Sequence, residues 1–193
     1  TLSALPLASL VANYFDWWSA SRPYIALFGG SWIGAAAVAA AALPLSRLHS
    51  LAPLAVVSCS TAALVAIDAA TGSELMADSP VGFNLLTAAR FYGIGNEAYA
   101  LLASGALIGL AFLGVWLRRW GRFAAGGAVL LIGLAIGAID ALPSMGADFG
   151  GVLSFVPALG LLVLLVAKLR LSWRRLLVVG AVTMGAAVAI AVV

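Results

Sequence analysis

Four acidic residues stand where a mostly apolar chain has little reason to place charge: Asp68, Glu97, Asp140 and Asp148. Each falls at the edge of a long apolar run. Near the second lies "RFYGIGNEAY", residues 90–99, which holds an arginine, two glycines, an asparagine and a glutamate. Near the fourth lies "MGADFGG", residues 145–151. Carboxylates brought together inside a membrane need a proton, a cation or an arginine. Glycine turns that open helices bring backbone N–H groups to a helix N-terminus, where anions are favoured. Arg90, Gly93, Gly95, Asn96, Gly146, Gly150 and Gly151 are therefore the candidate anion-binding residues, and Asp68, Glu97, Asp140 and Asp148 the candidate metal or proton ligands. Such a donor set suits a phosphate with a divalent cation as cofactor, and equally a zwitterion. The alternative reading is structural. Asn96 and Asp148 are ordinary N-cap residues, Glu97 complements a helix dipole, and Asp68 and Asp140 reach interfacial water.

Familiar catalytic patterns are missing. "GIGNEA" fits the dinucleotide fingerprint formally, but that fingerprint needs a preceding strand, and here it opens an apolar helix. There is no P-loop, no G-x-S-x-G and no H-E-x-x-H, and His49 is the only histidine. Cys59 is the only cysteine and reads as a small core residue.

The elements that must position these groups are set by composition. The chain of 193 residues is 64% hydrophobic and 9% charged, with a mean hydropathy of +1.15. Soluble domains carry about 25% charged residues, so a bilayer is the solvent that fits. Continuous apolar runs of about 20 residues predict an all-α polytopic membrane protein of about six transmembrane helices. They are expected over 24–43, 51–69, 97–117, 123–142, 151–167 and 176–193, and the lack of alternation excludes a membrane barrel. Residues 1–23 read as an interfacial or linker segment, with Tyr14, Trp17 and Trp18 suited to the membrane surface. Residues 24–193 form the transmembrane domain, read as a fragment of a longer protein because Thr1 is no initiator and the last residues are still apolar. Gly30/Gly34, Gly105/Gly109, Gly133/Gly137 and Gly146/Gly150 have the spacing of close helix contacts. "AIDA" occurs at 66–69 and again at 138–141, a hint of a repeated hairpin.

Charge gives the orientation. Arg47, Arg118, Arg119, Arg122, Lys168, Arg170, Arg174 and Arg175 share the three loops of one side, eight of the ten Lys and Arg residues. All seven acids fall on the other side. The positive-inside rule makes the basic side cytoplasmic and leaves the acidic loops outside. A net charge of +3 so distributed does not point to nucleic acid.

"TGSEL", "ARFYGIGNEAYALL", "DALPSMGADFGGVLSFVPAL" and "LRLSWRRLL" resemble a family of large polytopic bacterial membrane proteins of actinobacterial type. Its members share Arg-Phe-x-Gly-x-Gly-Asn and Gly-Ala-Asp-x-Gly-Gly stretches, matched here by Arg90, Gly93, Gly95, Asn96, Asp140, Gly146, Asp148, Gly150 and Gly151. Some members carry an alkaline-phosphatase-like extracytoplasmic domain ahead of this region. The resemblance implies a membrane module of an envelope protein and brings no activity with it. The first expectation is a module that handles a lipid or lipid-linked phosphate at the outer leaflet. Its partners would be membrane lipids and an extracytoplasmic domain or other membrane subunits. The alternatives are an ion- or proton-coupled small-solute transporter and a passive anchor or assembly subunit.

Overall fold

The computed structural model describes residues 1–77, 79–82 and 93–191. Seven α-helices form among them: α1 (Leu5–Ala12), α2 (Pro23–Ala42), α3 (Ala52–Thr71), α4 (Asn96–Leu117), α5 (Arg122–Ala141), α6 (Phe149–Val166) and α7 (Trp173–Ala191). No strand occurs among the described residues. Helices α2 to α7 are each long and apolar enough to cross a membrane, so the chain is an all-α, multi-pass membrane protein. Their ends lie within three residues of the expected ones. The largest shift is at α7, which starts at Trp173 and takes Arg174 and Arg175 into its first turn. Apolar runs stop at the first charge, but helical hydrogen bonding does not, and the Arg175 side chain donates to the Arg170 carbonyl.

Helices α3, α4, α5 and α6 build the main core around Val65, Leu102, Val129, Phe155 and Leu159. Close approach rests on missing side chains. A Cβ at Gly105 would stand 2.6 Å from the Ser58 carbonyl oxygen, and one at Gly109 would strike the Cys59 sulfur, so α4 lies directly on α3. A Cβ at Gly133 would overlap Leu159, and one at Gly137 would meet the Phe155 ring at 3.4 Å, which seats α5 on α6. The Gly30/Gly34 pair is half used: Gly34 faces Ala8 of α1, while Gly30 faces open space. Gly146 lies in the loop before α6, so Gly146/Gly150 is not a helix contact. Cys59, expected in the core, is on an exposed face of α3. Helix α6 continues through Pro157.

The segment before α2 packs on the bundle. Ala4, Ala8 and Leu10 are buried, and α1 packs along α2. The Asn13 amide donates to the Leu75 and Ala77 carbonyls at 3.1 and 3.0 Å, which ties this segment to the loop after α3.

Charge segregation is a property of the folded bundle. At one end the His49 ring packs edge-on against Phe112 near the end of α4. There too Arg118 donates to the Val166 and Leu165 carbonyls at 2.9 and 2.8 Å, closing the C-terminus of α6. These contacts gather the three basic turns. The loops after α3 and α5 meet at the opposite end.

Candidate functional site

The two glycine stretches touch. Ile94 N–H donates to the Gly146 carbonyl at 2.7 Å. Gly93 has φ +87, and a Cβ there would run into that same Gly146 carbonyl. Only glycine satisfies both the left-handed backbone and the contact. Gly93 N–H donates to the Ser73 hydroxyl at 3.1 Å, so the loop after α3 joins the junction. Gly146 N–H donates to the Ile139 carbonyl at 2.8 Å, and Asp148 N–H to the Asp140 carbonyl at 2.9 Å. Between them Ala147 is held at φ +52, an uncommon conformation for a residue with a side chain.

Asp140 lies under this junction. It is 2% exposed, and neither carboxylate oxygen has a hydrogen-bond partner among the described residues. Its side chain is packed against the start of α6. A Cβ at Gly151 would collide with Asp140 Oδ2 and stand 2.7 Å from the Tyr99 ring. The Tyr99 hydroxyl donates to the Gly151 carbonyl at 3.0 Å and shares a short hydrogen bond with the Ser154 hydroxyl. Asp140, Gly151, Tyr99 and Ser154 thus form one small cluster where α4, α5 and α6 meet. Leaving a buried polar group unpaired costs about 1–3 kcal/mol, and an isolated charge far more. A carboxyl group so placed calls for a proton or a positive charge.

Asp68 is a different case, although it sits in the same "AIDA" quartet. Its two oxygens accept the N–H groups of Leu75 and Met76, both at 2.9 Å. Its own carbonyl accepts Ser73 N–H at 2.7 Å, with Gly72 at φ +116 completing the helix end. The Asp68 side chain folds the loop after α3, whereas the Asp140 side chain does no such work for the loop after α5.

The remaining candidates divide. Glu97 is exposed in the first turn of α4. Asn96 is the first helical residue, the N-cap position falls to Gly95, and no side chain caps this end. Asp148 is the N-cap of α6, half-buried, but makes no side-chain cap bond. Gly150 lies in the first turn of α6, where a Cβ would meet Asp148 Oδ1 at 3.3 Å. The four acids do not converge: no group of three His, Cys, Asp or Glu placed to hold a metal occurs among the described residues. Arg90 lies outside the described residues. The glycine turns also differ from an open anion cradle. The N–H groups of Gly93, Ile94, Gly146, Ala147 and Asp148 all donate to acceptors within the protein.

Ser154, in this cluster, and Ser73, at the loop junction, are residues that the sequence does not single out, and Tyr99 reads there as an interfacial anchor. A tyrosine three residues into an apolar helix has the look of an interfacial anchor, and only the approach of α6 shows what its hydroxyl reaches. The chain matches no protein-family model, no curated protein and no solved structure.

Proposed function

We propose that this chain is the membrane module of a bacterial envelope protein and that Asp140 holds a proton or a cation in an ion- or proton-coupled transporter. The observation that carries this reading is the Asp140 carboxyl group, buried where three helices meet, with neither oxygen hydrogen-bonded among the described residues. Intramembrane carboxyl groups of this kind mark proton relays and ion pathways. The strained turn at Ala147 and the glycine packing at Gly151 hold the group in place instead of relieving it. The basic end would face the cytoplasm and the Asp140 end the outside.

The test uses full-length protein purified in detergent and in liposomes. One of Li⁺, Na⁺, K⁺, Mg²⁺ or Ca²⁺ should raise the melting temperature of the wild type, or an imposed membrane potential should drive proton entry into dye-loaded liposomes. Asp140→Asn should remove whichever response is seen. If neither response occurs, or if Asp140→Asn keeps it, the reading is wrong and a passive anchor gains.

A second reading keeps the expectation of a lipid or lipid-linked phosphate at the same end. It is supported by the N-termini of α4 and α6, which both open there without a side-chain cap. Arg90 would supply the charge. That reading predicts that Arg90→Ala weakens binding of a phosphate-bearing lipid while Asp140→Asn does not.

A further inference from the structure

A second feature lies at the opposite, basic end. The turn between α2 and α3, the first turns of α3 and the last turns of α4 enclose an apolar groove of about 760 Å³. Its walls include Leu48, Val56, Ile108, Phe112 and Trp116, and His49 is its polar residue. That volume is within the usual range of about 300–1,000 Å³ for small-molecule sites. From Ile108 to Trp116 the α4 wall runs about 12 Å at the helical rise of 1.5 Å per residue. It therefore has the length and polarity of a slot for the upper part of a fatty-acyl chain.

The rim of the groove supplies positive charge. The Arg119 guanidinium is stacked 3.8 Å from the ring centre of Trp116, a wall residue, and also 4.1 Å from Trp120. Stacking leaves the edge N–H groups of a guanidinium able to donate to an oxyanion. His49 Nδ1 accepts the Leu51 N–H at 3.1 Å, so the proton of a neutral ring resides on Nε2 and that nitrogen is a donor. Arg47 is two residues away and exposed. A greasy slot with a histidine donor in its wall and an arginine stacked on its Trp116 wall is complementary to a lipid with a negative headgroup.

We propose that this groove is a binding site for an anionic phospholipid of the bilayer, with one acyl chain along α4 and the phosphate between Arg119 and His49. The neighbouring arginines 174 and 175, at the same end of the bundle but on α7, serve as a built-in control. They have the same charge and are not among the residues that line this groove. The site is independent of Asp140, which lies at the other end.

Native mass spectrometry of the full-length protein in a neutral detergent tests this, with phosphatidylglycerol and phosphatidylcholine of identical chains as probes. Phosphatidylglycerol should be retained preferentially. Arg119→Gln should weaken its retention about fivefold, the order one basic residue contributes at an anionic surface. Arg174→Gln should leave it unchanged. Val56→Trp, at an exposed position of the groove wall, should block it while the circular dichroism stays that of the wild type. Equal retention of the two lipids, an equal loss in Arg174→Gln, or full retention in Val56→Trp would each overturn the proposal.

Discussion

At the scale of single residues, the two aspartates of the repeated "AIDA" quartet separate structure from function. Asp68 accepts one buried and one part-buried backbone N–H group, so Asp68→Ala leaves both unpaired and should lower stability by about 1–3 kcal/mol. Asp140 accepts none from the described residues, so Asp140→Asn removes a charge at constant volume and breaks nothing. Its melting temperature should equal or exceed that of the wild type. Thermal unfolding of the two variants in one detergent measures the contrast, and a larger loss in Asp140→Asn than in Asp68→Ala would mean that the Asp140 carboxylate is a structural brace. The sequence shows both acids at helix ends and treats them alike. What distinguishes them is the path of the following loop. After α3 it curls back so that the Leu75 and Met76 N–H groups meet the carboxylate, and after α5 it folds back onto the Ile139 and Asp140 backbone carbonyls and leaves the carboxylate unpaired among the described residues. A match of four letters carries no information about that path.

At the scale of elements, six helices were legible because length and apolarity alone define a span, and their ends follow where charge and proline stop the run. Pairing of the helices was partly legible. Gly105/Gly109 and Gly133/Gly137 do mark contacts, with α3 and α6 respectively, while Gly30 and Gly146 share the spacing without the role. Spacing reports which residues share a face, not which face meets a neighbour. The contact at Gly105 is the tighter test, because the atom opposite is a backbone oxygen that cannot swing aside. Gly105→Ala should push α4 from α3 and lower stability by about 1–3 kcal/mol, whereas Gly30→Ala should be neutral. Equal melting temperatures for the two variants would contradict the packing described. The segment before α2 shows the opposite limit. Its aromatic residues suggest a surface segment, and the sequence does not show that Ala4, Ala8 and Leu10 are buried, with Ala8 against Gly34 of α2 and Leu10 in the main core.

At the scale of the whole molecule, the fold turns a one-dimensional charge pattern into two chemically different ends. Arg118 and His49 bind the basic turns together, and the Gly93–Gly146 junction binds the acidic ones. The two sites proposed here therefore sit at opposite ends of one bundle, and their meaning depends on which end faces the cytoplasm. A bilayer favours Lys and Arg on the cytoplasmic side, while acids contribute little to the choice. The basic turns should accordingly be inside, where anionic lipid and the groove beside Arg119 coincide, and Asp140 should open toward the exterior. This is measurable in intact cells. In a Cys59→Ser background, Ser144→Cys reports the loop after α5 and Ser172→Cys the turn before α7, both at exposed positions. A membrane-impermeant maleimide should label the first in whole cells and the second only after permeabilisation. The reverse pattern would put Asp140 at the cytoplasmic face and rule out an external entry for its proton or cation. Labelling of both in whole cells would mean that α6 does not cross the membrane, and the two-ended arrangement on which both sites rest would fall with it.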